Sequence, residues 1–174
     1  MNEQELPSLE SILINGTVTL VSEQSPRVAT TLDRMRAVYK SLRSNTMTSR
    51  PISRLHVHTL AYQAIMTDAK SKWANTMAAT AKASLTAHRH TCSTPEVQLN
   101  NAKMLMDEGF TTSAKNGERK MMDEKRPISC WKETITGSNF DVDICVAPVL
   151  VCTDVKKTGG GGDNVSSAGL VLQL

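Results

Sequence analysis

Two adjoining runs in the last third of the chain restrict its possible folds more than any other feature. In the second run Phe140, Val142, Ile144 and Val146 alternate with Asp141 and Asp143, and a period of two puts every apolar side chain on one side of a strand. The run from Ile128 to Thr136 precedes it, and Gly137-Ser138-Asn139 joins them, which predicts a β-hairpin. At 174 residues the chain is long enough to bury a core around that hairpin in one domain.

The elements on either side are read from the same periodicities. Residues 1–10 are polar and read as a flexible N-terminal arm, after which Ile12, Ile14, Val18 and Leu20 alternate with polar neighbours and predict a strand. Ser22 to Pro26 is a turn. Leu32, Met35, Val38, Tyr39 and Leu42 then form a helical stripe, with Arg34, Arg36, Lys40 and Arg43 on the remaining face. Ser44 to Pro51 breaks that helix, and Ile52, Leu55, Val57 and Leu60 mark a buried strand that runs past Tyr62 into a short helix. The Ala-rich stretch from Trp73 to His88 alternates with a period of two and reads as a further strand. Ser93 and Glu96 fit a capping box with Pro95 in the first turn, and Gly109 is a natural stop, so a helix is expected between them.

Residues 111–126 are charged and aperiodic, as in an exposed loop. Gly159 to Gly162 read as a flexible link to a final apolar strand, Gly169 to Leu174. The expected architecture is α+β: one compact domain, a mixed or antiparallel sheet packed by two or three helices. Its boundaries are an arm at 1–10, a globular part at 11–157 and a glycine link with its strand at 158–174.

Only six residues are aromatic, whereas nine are Met. The core must therefore rest on aliphatic side chains and adaptable Met, and assembly is expected to add stability. No charge-free apolar stretch approaches the roughly 20 residues that span a bilayer. The acidic, polar start does not resemble a secretory signal, so a cytosolic or nuclear chain is expected. There Cys92, Cys130, Cys145 and Cys152, none in a CxxC pair, should remain reduced.

Charge is unevenly placed. Residues 27–90 hold eleven Lys and Arg against Asp33 and Asp68, a local +9, while residues 1–26 carry −4 and residues 91–174 carry −2. That block predicts one positive face and an anionic partner. Arg34, Arg36, Lys40, Arg43, Arg50, Arg54, Lys70, Lys72, Lys82 and Arg89 are the candidate contacts. Without interleaved aromatic platforms, any RNA contact would be to phosphate, and acidic lipid headgroups satisfy the same chemistry.

Catalytic signals are sparse. Neither GxxxxGK[ST] nor GxGxxG occurs, and the glycines at 159–162 sit in linker-like surroundings, so no nucleotide site, no catalytic residue and no cofactor is expected. The histidines fall in HxH pairs. On a strand His88, His90 and Cys92 would share one side and could hold zinc, although the spacing equally fits an extension of the basic face.

The order ILINGTVTLVS, TLDRMRAVYKSL, RPISRLHVHTLAYQAI resembles the start of the globular domain of rhabdovirus matrix proteins, with Ile14-Asn15-Gly16, Val18, Leu20, Ser22, Arg54, Leu55 and Val57 carrying the match. The segment ISCWKETITGSNFDVDICVAPVLVC resembles that domain's later strand pair. Neither PPxY nor P[ST]AP is present, which points to a plant-infecting member. The resemblance implies a non-enzymatic structural protein of the virion, beneath the envelope, found in host cytoplasm and at intracellular membranes. It would condense the nucleocapsid, contact acidic membrane and associate with itself, with Leu6, Pro7 and Leu9 docking on a neighbour, and take no small-molecule substrate. The alternatives are a nonspecific RNA-binding, capsid-associated protein and a small zinc-binding regulatory module that suppresses host defence.

Overall fold

A computed structural model describes residues 1–19, 25–44 and 50–174; the turn expected at 22–26 and the break at 44–51 lie largely outside them. The elements in order are α1 (Glu5–Asn15), α2 (Val28–Ser44), β1 (Arg54–His58), β2 (Tyr62–Asp68), α3 (Thr76–Cys92), β3 (Ala102–Met104), β4 (Gly109–Thr111), β5 (Arg119–Met121), β6 (Ser129–Thr134), β7 (Asp141–Pro148), β8 (Leu150–Cys152) and α4 (Gly161–Val171). The domain is α+β, with four helices and antiparallel sheets among the described residues.

The expected hairpin is present as β6 and β7, and the main sheet runs β1-β2-β7-β6. Leu55 pairs with Met66, Met66 with Ile144, and Ile144 with Trp131. Because the side-chain period is two, that register puts Leu55, Val57, Ala64, Met66, Val142, Ile144 and Val146 on one face. They meet Leu32, Met35, Val38 and Tyr39 of α2 and Leu6 of α1 in the main core. His56, Gln63, Ile65, Cys145 and Ala147 face the opposite way, toward α3 and α4. The sheet is thus covered on both sides, which explains why all of β2 is buried.

Several local expectations give way to tertiary packing. The alternation at Ile12 to Leu20 predicted a strand, yet a helical period starts earlier, at Leu6, Leu9 and Leu13, and packs α1 on the core. Ile12 and Ile14 remain exposed. Asn2 Oδ1 accepts the Glu5 N–H at 2.9 Å and Glu5 Oε2 accepts the Asn2 N–H at 2.8 Å, a reciprocal cap. Gly16, at φ 73°, closes the helix. Residues 5–10, read as an arm, are therefore the first half of α1.

The stretch from Trp73 to His88 is mostly helix rather than strand. Its alternation was largely Ala against Thr, a weak contrast, whereas Ala79, Ala83 and Ser84 form a small, buried helical face. Past Tyr62 the chain is strand, not helix. Ser93, at φ 54°, terminates α3, so the expected Ser93–Glu96 helix start is a helix exit followed by a single 3₁₀ turn at Leu99–Asn101. Within 111–126 the β4–β5 hairpin replaces part of the expected loop. The final run is α4, whose Val165 and Gly169 are buried.

The cysteines, expected to be reduced, are paired. Cys130 and Cys145 stand opposite one another across β6 and β7, with Cα atoms 4.2 Å apart. Cys92 and Cys152 join the end of α3 to β8 across 5.6 Å. Sixty and fifteen residues separate the partners, a proximity that only strand register and helix docking create.

Candidate functional site

The glycines read as a link form the entrance to α4. Gly160 adopts φ 71°, a backbone that favours glycine, and α4 begins without a side-chain cap. The Gly161 N–H reaches Thr158 O at 3.3 Å and the Asn164 N–H reaches Gly160 O at 3.1 Å. The intervening N–H groups of Gly162 and Asp163 have no partner among the described residues and point out of the helix end. Free N–H groups and the helix dipole together make a seat for an anion. Asp163 stands exposed in the first turn.

The surroundings hold this entrance rigidly. Thr91 O accepts the N–H groups of Lys156 and Lys157 at 2.8 and 3.1 Å, and His90 Nε2 donates to Gly159 O at 2.9 Å. The Cys92–Cys152 bridge ties the preceding strand to the same end of α3. On the other side stands His58, the last residue of β1. Burial lowers its pKa, aided by the nearby chain-start amino group, while Glu5 and Asp163 pull the opposite way.

Immediately after His58, Thr59 to Tyr62 line a cleft of about 390 Å³ with Pro26, Val28, Leu105, Met106 and Phe110. Its walls mix apolar side chains with Ser25, Arg27, Thr59, Asp107 and Thr111. One turn of chain, 58–62, therefore borders both the anion seat and this mixed cleft.

The candidate residues from sequence fall elsewhere. Arg34, Arg36, Lys40 and Arg43 lie on α2, and Lys82 and Arg89 on α3, so the sheet divides what was expected to be one face. Several are already paired: Arg34 with Glu10 at 3.7 Å, Arg36 with Glu133 at 2.6 Å, Arg43 with Asp68 at 2.6 Å and Lys70 with Asp141 at 3.9 Å. Lys40 reaches Thr136 O, and Arg54 donates to Gln173 at 2.6 Å. Arg50, Lys72 and Lys82 are exposed. Leu6 and Pro7 are buried in this chain's own fold, and Leu9 packs against the core.

The zinc reading does not survive. His88 is wholly buried, with Nδ1 on Leu150 O at 2.9 Å and Nε2 accepting the Gln98 N–H at 3.2 Å. Cys92 is bonded to Cys152. A helix also turns residues two apart to different sides. No group of three metal ligands occurs among the described residues.

An uncapped glycine entrance with an acid in the first helical turn suits a phosphoryl-transfer protein, in which positioning and electrostatics do most of the work. The sequence model described as the ADP-specific phosphofructokinase/glucokinase conserved region matches residues 1–172, and the chain belongs to that family. It is 30% identical over 172 residues to an ADP-dependent glucokinase of Bos taurus, a match covering 98% of this chain and 33% of the relative. A solved ancestral protein, the last common ancestor of ADP-dependent phosphofructokinases from Methanosarcinales, matches 98% of this chain and 35% of its own, at 15% identity and a TM-score of 0.47. The chain thus spans about a third of the length of these relatives.

Family membership overturns the rhabdovirus matrix reading, and with it the virion location, the nucleocapsid and membrane partners and the absence of enzymatic activity and small-molecule substrate. The RNA-binding and zinc-module alternatives receive no support from these relatives. The shared motif was a short strand-helix-strand order, but the first part of its expected first strand, Ile12 to Asn15, is the end of α1, and Leu20 lies outside the described residues. No helix among the described residues is long and apolar enough to cross a membrane. Gly159 to Asp163 admitted a second reading that the linker one left out, since glycine in front of a helix can seat an anion as readily as it can link.

Proposed function

We propose that this chain carries the phosphoryl-transfer part of an ADP-dependent sugar kinase. The observation that carries the reading is the pair of unpartnered N–H groups at Gly162 and Asp163, next to the Asp163 carboxylate. The β-phosphoryl group of ADP would lie against those N–H groups, with its nucleoside extending toward the cleft beyond His58. A sugar hydroxyl oxygen attacks the β-phosphorus, the bond to the bridging oxygen breaks and AMP leaves. The hydroxyl proton passes to Asp163 as general base. Family membership and the names of the relatives support both the donor and the sugar acceptor.

The test combines calorimetric titration with ADP and an assay of AMP release in the presence of glucose or fructose 6-phosphate. Asp163→Asn should retain ADP binding and lose turnover by a factor of about 10² or more, the scale of a positioned base. Turnover unchanged in Asp163→Asn, or absence of ADP binding by the parent chain, would remove the proposal.

A further inference from the structure

Alternate residues of β1, namely Arg54, His56 and His58, face α4, and the helix meets them in reverse order. Arg54 Nε donates to Gln173, just beyond the helix, at 2.6 Å, and Gln173 Nε2 donates to Thr76 at 3.2 Å. A Cβ on Gly169 would stand 3.4 Å from His56 Cε1 and from Ala83 Cβ. A Cβ on Gly162 would stand 3.1 Å from His58 Cε1 and 3.3 Å from Nε2, closer than nearly all such contacts. Gly162 and Gly169 are seven residues apart, so they share one helical face.

The two ends of α4 are held differently. The C-terminal end is fastened by hydrogen bonds from Arg54 and from Asn75, whose side chain donates to Leu172 O at 3.2 Å. At the N-terminal end, the β1 side offers only the edge of the His58 ring against bare Gly162 backbone. That ring backs the first turn from the sheet side while His90 and Thr91 fasten the approach to it from α3, so the ring and that fastening together fix the aim of the Gly162 and Asp163 N–H groups.

We propose that His58 is a positioning residue for the phosphoryl-transfer site, seating the first turn of α4 and holding the Asp163 carboxylate toward the reacting hydroxyl. The inference rests on the kinase reading above. The charged and titratable groups that act on the ring are Glu5 and the chain-start amino group from the N-terminal segment and Asp163 from α4, with the His56 ring of β1 edge-on at 6.1 Å. Burial favours the neutral imidazole, which leaves the carboxylate free to accept a proton; a protonated ring would pair with it instead.

The decisive experiment is a double-variant cycle read alongside a histidine titration. Gly162→Ala should lower kcat by about 10²-fold with KM for ADP changed far less, as expected when reacting groups are misplaced by a fraction of an ångström to an ångström. His58→Ala alone should also lower kcat, and in the double variant the two losses should fall clearly short of additive, because the new methyl group occupies space the ring has left. Two losses that simply add would show that His58 has no seating role. Independently of turnover, the NMR titration midpoint of His58 should fall in Asp163→Asn, because the carboxylate that favours the protonated ring is gone; an unmoved midpoint overturns the proposal. If the parent chain fails to turn over ADP and sugar, the kinase reading falls. The titration, and relief by His58→Ala of the thermal destabilisation caused by Gly162→Ala, would still decide the positioning role.

Discussion

Removing the two disulfides one at a time should separate a constraint on the whole fold from a local strand clip. Cys92–Cys152 closes a loop of 60 residues and Cys130–Cys145 one of 15. The chain-entropy relation gives about 4.3 kcal/mol for the first and about 3 kcal/mol for the second, a difference of about 1.3 kcal/mol. The paired variants Cys92→Ala/Cys152→Ala and Cys130→Ala/Cys145→Ala would be compared by urea unfolding followed by circular dichroism. The first should be the less stable by about that difference. It should also alter the candidate site, because the bridge, the Thr91 carbonyl and His90 all fasten the segment that leads into α4. Amide exchange at Gly159 to Asp163 should therefore quicken in the first variant and stay at the parent rate in the second. A greater loss of stability in the second variant, or quickened exchange at α4 in both, would refute the reasoning. Unfolding of the parent chain that is unaltered by a dithiol reductant would show that neither bridge forms in solution.

Other consequences follow from particular side chains. Leu6, 1% exposed in the core, should cost about 2–5 kcal/mol as Leu6→Ala, whereas Ile14, 65% exposed on the same helix, should change stability by about 0.5 kcal/mol or less as Ile14→Ala; the reverse order in thermal unfolding would disprove the placement of α1. Burial beneath α4, reinforced by Arg54, lowers the His56 pKa to about 3 against the ordinary 6.5. The unfolded chain therefore binds a proton in that window and the folded one does not, so stability falls as pH drops from 6.5 toward 3, by up to about 1.4 kcal/mol per pH unit from this group. His56→Asn should flatten that part of the pH profile, and an unchanged slope would show that His56 titrates normally. The Glu133 carboxyl is raised by burial, but hydrogen bonds from Arg36 and Trp131 outweigh this and hold it below the usual range. Its contribution is present above the ordinary carboxylate pKa and is lost as pH falls through the lowered folded value. Glu133→Gln should consequently lose stability at neutral pH and show a shallower acid decline than the parent.

What the sequence by itself determined was the class of fold and the elements with strong periodic contrast. The β6–β7 hairpin was legible because Val142, Ile144 and Val146 alternate with carboxylates, and α2 because Leu32, Met35 and Val38 recur at helical spacing. Where contrast was weak, only the tertiary structure decided. Ala79 and Ala83 fit a strand or a helix until packing against α4 and the sheet selects the helix. The glycines at 159–162 fit a linker until the preceding segment is fastened to Thr91 and His90, after which they open an uncapped helix. The basic block was counted correctly along the chain but is divided in space, because a sheet buried on both faces sends α2 and α3 to opposite sides. Local patterns report the free energy of a segment's own neighbours, whereas a site such as His58 against Gly162 joins residues 104 positions apart, and that proximity exists only once strand register and helix docking are set.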